Sequence, residues 1–231
     1  MRSSFVRTTS IVAATLGAFV LGGRPLLSSF THSVRVPNPA VDETRAQKHG
    51  KETAVLAGGC FWGMQLVFSH VKGVTKVTAG YAGGEKNTAT YEQVETGQTG
   101  HAESVRIEYD PSVITYGQIL QVYFSVAHDP TELNRQGPDT GTQYRSSIFF
   151  TTPEQQQIAE AYIAQVDKAK TFDSPIVTQV VPLKGFYSAE GYHQNYAVHH
   201  PDQPYIVIND APKVDHLKAE LPEFYSDKMV S

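Results

Sequence analysis

Within Ala102–Tyr109 polar and apolar residues alternate from Ser104 on, with Val105, Ile107 and Tyr109 on one parity and Ser104, Arg106 and Glu108 on the other. Asp110-Pro111 stops the run. A strand with this period buries one face only, so the chain must build a sheet that carries packed elements on one side. Its neighbours are read on the same footing. Thr53–Ala57 reads as a short buried strand, Met64–Phe68 as the opening of an apolar-faced helix, and Gly73–Tyr81 as a second strand closed by Ala82-Gly83-Gly84. A helix is predicted from about Thr115 to His128 and a strand over Ser146–Phe150. Thr152-Pro153-Glu154-Gln155 then opens a helix with a Thr cap and Pro at the first position, and Ile158, Tyr162, Val166 and Ala169 form its stripe. Pro175–Val181 is expected as a further strand and Ala189–Val198 as a short helix. The order βαββαβ predicts an α+β fold, a ferredoxin-like sandwich with an antiparallel sheet, helices on one face, extra loops and a C-terminal helix.

The chemistry concentrates at Gly58-Gly59-Cys60-Phe61-Trp62-Gly63, which holds the only cysteine beside the only tryptophan. Cys60 falls at a strand-to-helix turn. The free N–H groups and partial positive charge of a helix N-terminus favour thiolate over thiol, which would make Cys60 a nucleophile and not merely a small buried hydrophobe. Glu103 shares the parity of the apolar row and should point inward, where desolvation keeps a carboxyl protonated as a general acid requires. A rim glutamate on a frayed strand end fits the same parity equally well. Asp129–Arg145 is a 17-residue polar stretch that contains Asp139 and Tyr144 among turn residues. It reads either as a solvated loop or as a functional one.

Composition narrows the classes. The first 41 residues carry Arg2, Arg7, Arg24 and Arg35 and no acid, and Ile11–Gly23 is an uncharged, mostly apolar run. Residues 1–30 are therefore expected to be a targeting or anchoring segment: a secretory signal, with an organellar transit peptide or an uncleaved anchor as alternatives. Residues 31–52, with Pro37 and Pro39, read as a linker, and residues 53–231 as the domain. Without those four arginines, 15 of the 19 basic residues face 23 acidic ones, a formal charge of −8 that does not attract nucleic acid. His193, His199, His200 and Asp202 lack the spacing of zinc ligands, and no phosphate-cradling or dinucleotide motif is present, so neither metal nor cofactor is expected.

Five motifs in one order carry a resemblance: Gly59-Cys60-Phe61-Trp62-Gly63, Gly80-Tyr81-Ala82-Gly83-Gly84, Thr99-Gly100-His101-Ala102-Glu103, Gly141-Thr142-Gln143-Tyr144-Arg145-Ser146 and Gly191-Tyr192-His193-Gln194. Together they resemble peptide methionine sulfoxide reductase of the A type, over roughly residues 53 to 205. The resemblance implies Cys60 as nucleophile, Glu103 as acid, and Tyr91 and Tyr144 as the phenols that hold the sulfoxide oxygen. It implies Phe61 and Trp62 as the pocket for the substrate methyl, with Asp139 lining the same pocket, and action on the S epimer of free or protein-bound methionine sulfoxide. The chain is expected to act as a monomer. Many relatives carry resolving cysteines near the C-terminus and this chain has none. Its Cys60 sulfenic acid would then need an external reductant, a thioredoxin-like protein or a small thiol. The competing readings are another single-cysteine redox catalyst, such as a thiol peroxidase, and a binding module whose cysteine is structural. Trp62 beside the sulfur speaks against the peroxidase, since a peroxide needs no methyl pocket.

Overall fold

The computed structural model describes residues 33–230, so the expected targeting segment lies outside the described residues. Strand β1 (Glu52–Ala57) leads through two glycines into helix α1 (Phe61–Ser69), which returns to β2 (Val74–Ala82). A short helix α2 (Tyr91–Val94) precedes β3 (Ala102–Tyr109), and β3 leads to α3 (Tyr116–Val122), which continues as a wider turn over Tyr123–Ala127. A two-residue hairpin, β4 (Arg135–Gln136) and β5 (Asp139–Thr140), folds inside the long polar stretch. After β6 (Ser147–Phe150) come α4 (Pro153–Ala169), β7 (Gln179–Pro182), β8 (Phe186–Ser188), α5 (Tyr196–His199) and α6 (Ala211–Glu220).

The main sheet runs β7-β6-β1-β3-β2-β8. Its central four strands are mutually antiparallel, with β1 and β2 both pairing β3. This is the split βαβ arrangement expected from the strand order. The one parallel pairing, β6 with β7, lies at an edge, so the sheet is mixed. Alternation along β3 works as the pattern requires. Val105, Ile107 and Tyr109 enter one core cluster with Leu56 of β1, Met64 and Phe68 of α1, Ile119 of α3, Tyr162 of α4 and Leu217 of α6. The other sheet face holds only a small cluster of Val55, Ala57, Ala82, Ala102 and Phe149, topped by Val181, Leu183 and Phe186. The helices therefore sit on one side.

Thr152 caps α4 by accepting from the Gln155 N–H at 3.1 Å, with Pro153 at the first position. The apolar stripe ends a turn early: Val166 is fully buried, but Ala169 lies exposed at the end of the helix. Strand β7 starts four residues later than Pro175, and Phe186–Ser188 adds a strand that no alternation announces. Ala189–Val198 is not one helix. Asn195 takes a left-handed conformation, φ 55°, and splits the stretch into a single turn at Gly191–His193 and α5.

Residues 33–51, expected as a linker, are instead laid against α3 and α4. Val36 is fully buried. The prolines remove N–H groups that would need partners, and the carbonyls of Val36, Pro37 and Asn38 accept from Gln121, Tyr162 and Gln165 respectively. Asp42 and Glu43 accept from the Gly117 and Tyr116 N–H groups at the start of α3. The expected domain boundary at residue 53 therefore cuts through packed structure.

Candidate active site

Cys60 is the N-cap of α1. Gly59 before it has φ +86° and passes so close to Gln136 of β4 that a Cβ would lie 2.5 Å from Gln136 Cγ. Only glycine fits such a turn. The first N–H of the helix, that of Phe61, donates to Glu103 Oε2 at 2.9 Å, which ties the carboxyl of β3 to the residue next to the thiol. Glu103 points into the helix side and is buried, so of the two readings of its parity the inward one is what the fold contains. Burial pushes its pKa up to about 8, Asp139, Glu95 and Asp210 adding to the rise, while the Phe61 N–H opposes it.

The thiol does not follow the sequence expectation. Burial, then the charges of Glu103, Asp210 and Asp139, push Cys60 well above the ordinary thiol range, and the Trp62 N–H, which favours thiolate, does not offset them. The N-terminus of α1 is present, but its N–H groups are shared between the thiol and Glu103. At rest Cys60 is therefore a neutral thiol beside a largely protonated acid.

Around this pair stand the other predicted residues. Tyr91 opens α2, whose first N–H donates to Glu190 Oε1 at 3.0 Å. Tyr144 comes from the single turn Thr142–Tyr144, fixed by Arg145, whose guanidinium donates to the carbonyls of Gly100, His101 and Thr142. Both phenols reach Glu95, Tyr144 Oη at 3.5 Å. Burial raises both phenol pKa values, so they stay protonated donors, and the charges of Cys60 and Glu103 act on both. Asp139 lines a small pocket of about 20 Å³ with Cys60, Gln136 and Tyr205, and accepts from the Tyr205 hydroxyl.

The aromatic wall is larger than Phe61 and Trp62. Trp62 stacks on Tyr196 at 3.8 Å and 13°, meets Tyr205 edge-on, and donates from Nε1 to His193 Nδ1 at 3.2 Å. The His193 ring also lies 5.0 Å from Phe61 and 4.5 Å from Tyr91. Burial lowers its pKa, so it is a neutral aromatic spacer. Gln194 fastens this segment by exchanging hydrogen bonds with both backbone groups of Ala79 in β2. All seven predicted residues thus surround one site. Glu95, Glu190, Tyr196 and Tyr205 were missed, since each enters by packing and lies outside the motifs. A larger depression of about 580 Å³, lined by Asp42, Arg45, Gln118 and Glu223 among others, includes neither Cys60 nor any of the predicted site residues.

The arrangement offers one nucleophile, one neutral acid, two phenol donors and an apolar box for a small group. The profile of the family described as peptide methionine sulfoxide reductase matches residues 52–224, almost twenty residues further than the motifs reach. A peptide methionine sulfoxide reductase, MsrA 2, of Mesorhizobium japonicum is 62% identical over 181 residues, covering 78% of this chain and 93% of that protein. MsrA 2 of Synechocystis is 46% identical, covering 93% and 98%. Among solved structures, methionine sulfoxide reductase A of Corynebacterium diphtheriae superimposes with a TM-score of 0.57 at 34% identity, covering 77% of this chain and 92% of that one. Reduced Mxr1 of Saccharomyces cerevisiae does so with 0.59 at 31%, covering 69% and 94%. The family profile spans most of the folded residues and the relatives align over nearly their whole lengths: the chain belongs to the peptide methionine sulfoxide reductase family, as a member with a single cysteine.

Proposed function

We infer that the protein reduces the S epimer of methionine sulfoxide in peptides and proteins to methionine, a repair reaction. The observation that carries the mechanism is Glu103, buried, hydrogen-bonded at the helix start beside Cys60 and with a pKa near 8. A sulfoxide oxygen is a strong acceptor. The Tyr91 and Tyr144 hydroxyls and the Glu103 acid donate to it, which makes the sulfoxide sulfur electrophilic. The Trp62–Tyr196 stack with Phe61 gives the S-methyl group an apolar surface. The Cys60 sulfur attacks as its proton is lost, the S–O bond breaks, and oxygen passes to Cys60 with one proton. The balance is Cys60–SH plus sulfoxide to Cys60–SOH plus thioether. Turnover of both epimers of a methionine sulfoxide peptide with dithiothreitol tests this, and equal use of the two epimers would contradict it.

With one cysteine in the chain no internal disulfide can form, so the sulfenic acid condenses with an external thiol, releasing water, and a second thiol frees Cys60. A thioredoxin-like protein or a small thiol fills that role. Intact mass after one equivalent of sulfoxide without thiol should rise by about one oxygen. The acid-free, Arg-flanked apolar run at residues 11–23 supports action outside the cytosol, and fractionation of the full chain tests the location.

A further inference from the structure

One buried ionic group beside Cys60 has no part in the mechanism above. Lys213, in the first turn of α6, is 3% exposed, and its ammonium lies 3.4 Å from the carboxylate of fully buried Asp210. Both press on the first turn of α1. A Cβ on Gly63 would stand 2.0 Å from Asp210 Oδ1 and 2.9 Å from Lys213 Nζ, so glycine at this position lets the pair reach the helix that carries Cys60. Lys213 lines the same small pocket as Cys60 and Asp139, and among the described residues lining it Lys213 is the cation.

A buried ion pair is a poor stabilising device, because desolvation of both charges commonly cancels their attraction, and an apolar pair would hold α6 on α1 as well. Its place therefore asks for another reason. Apart from Lys213, the titratable groups facing Cys60 from other elements are Glu103 of β3, Asp139 of β5, Asp210 before α6, and the phenols Tyr91, Tyr144 and Tyr205. Every one is an acid, and any of them ionised opposes negative charge on the sulfur. The thiolate that attacks a sulfoxide nevertheless carries that charge.

We propose that Lys213, held in place by Asp210, is a positioning residue for Cys60 whose ammonium supplies the counter-charge under which the thiolate forms. Lys213 acts through Cys60 and makes no claim on the substrate. The inference rests on Cys60 being the nucleophile, and it assigns to the C-terminal region a role in setting thiol reactivity.

The test is the pH dependence of Cys60 alkylation by iodoacetamide in the intact protein without sulfoxide, with circular dichroism reporting the folded state. Lys213→Met should move the alkylation midpoint up by about one pH unit and slow alkylation about tenfold below it. Lys213→Arg, which keeps the charge, should leave the midpoint in place. Asp210→Asn removes an opposing carboxylate and should move it down. A purely structural pair would lower the melting temperature in both Lys213→Met and Asp210→Asn and leave the midpoint of folded Lys213→Met unmoved, which would overturn the proposal. Equal shifts in Lys213→Met and Lys213→Arg would overturn it too. Should Lys213→Met not fold, Lys213→Gln takes its place, and an unmoved midpoint there decides against the proposal. Sulfoxide turnover is read separately: failure of the unmutated protein there tells against the function, while an unmoved midpoint tells against Lys213.

Discussion

Helix α1 begins next to a buried carboxyl and α3 next to half-buried ones, and they treat their free N–H groups in opposite ways. At α3 the first three are closed off: Tyr116 N–H donates to Glu43, Gly117 N–H to Asp42 and Gln118 N–H to Thr115, whose own N–H returns to the Gln118 side chain. That is a capping box with two extra acids, and it serves stability. At α1 the cap is a cysteine, Phe61 N–H goes to Glu103 and Trp62 N–H favours the thiolate. The same resource neutralises one helix end and prepares the other for reaction. Burial raises Glu43 to about 7 and Glu103 to about 8, so the contrast lies in what each carboxyl faces and not in its acidity.

The contrast breaks most sharply at α1. Cys60→Ser should abolish reduction, and Glu103→Gln should slow it by about 10² to 10⁴ fold with the fold intact. A Gln variant that kept its turnover would remove the acid from the mechanism. The next effect is in pH. Glu103 is an acid only below about 8, so kcat/KM should fall as pH rises through that value, and the Gln variant should lack this limb. The same raised pKa means that the native state binds the proton more tightly than the unfolded chain does. Between the unfolded carboxylate range and about pH 8 stability should therefore decline with rising pH, and Glu103→Gln should flatten the decline in urea titrations.

Trp62→Ala comes third: it should lower kcat/KM for the sulfoxide more than it lowers the rate of Cys60 alkylation, because the ring faces the methyl box. Equal losses in the two assays would move Trp62 from recognition to thiol activation. The smallest effect belongs to α3. Removing its cap with Thr115→Ala should cost about 1 kcal/mol of stability and leave kcat unchanged. A change in kcat there would mean the two helix ends are coupled.

What the sequence disclosed follows from range. The β3 alternation needs only neighbours two residues apart, so the βαββαβ order was legible, while for Glu103 the parity left an inward acid and a rim glutamate equally open. Thr152-Pro153 was legible for the same reason. The wider aromatic wall was not, since Tyr196 and Tyr205 meet Trp62 only after α5 and the turn following it fold back onto α1. Asn195 broke an expected helix by adopting a left-handed conformation, which its side chain tolerates but does not announce. Residues 33–51 read as a linker because prolines and mixed charges mark loops; what pins them is Gln121, Tyr162 and Gln165, some 85 to 127 residues away. The thiol was misread for a different reason. A helix end can be seen in a pattern, but the carboxyls that gather around it from β3, β5 and the start of α6 cannot.

The stack of Trp62 on Tyr196 has a practical consequence. Because the chain has one tryptophan, all of its indole fluorescence arises within the site, two residues from the reacting sulfur. Emission from the native protein is thus an unlabelled optical report on that position alone. Displacement of water by a methyl group would shift the band to shorter wavelength, and a polar oxygen gained at Cys60 would alter its intensity. Single-turnover stopped-flow can therefore time substrate entry and sulfur oxidation separately, with no dye attached.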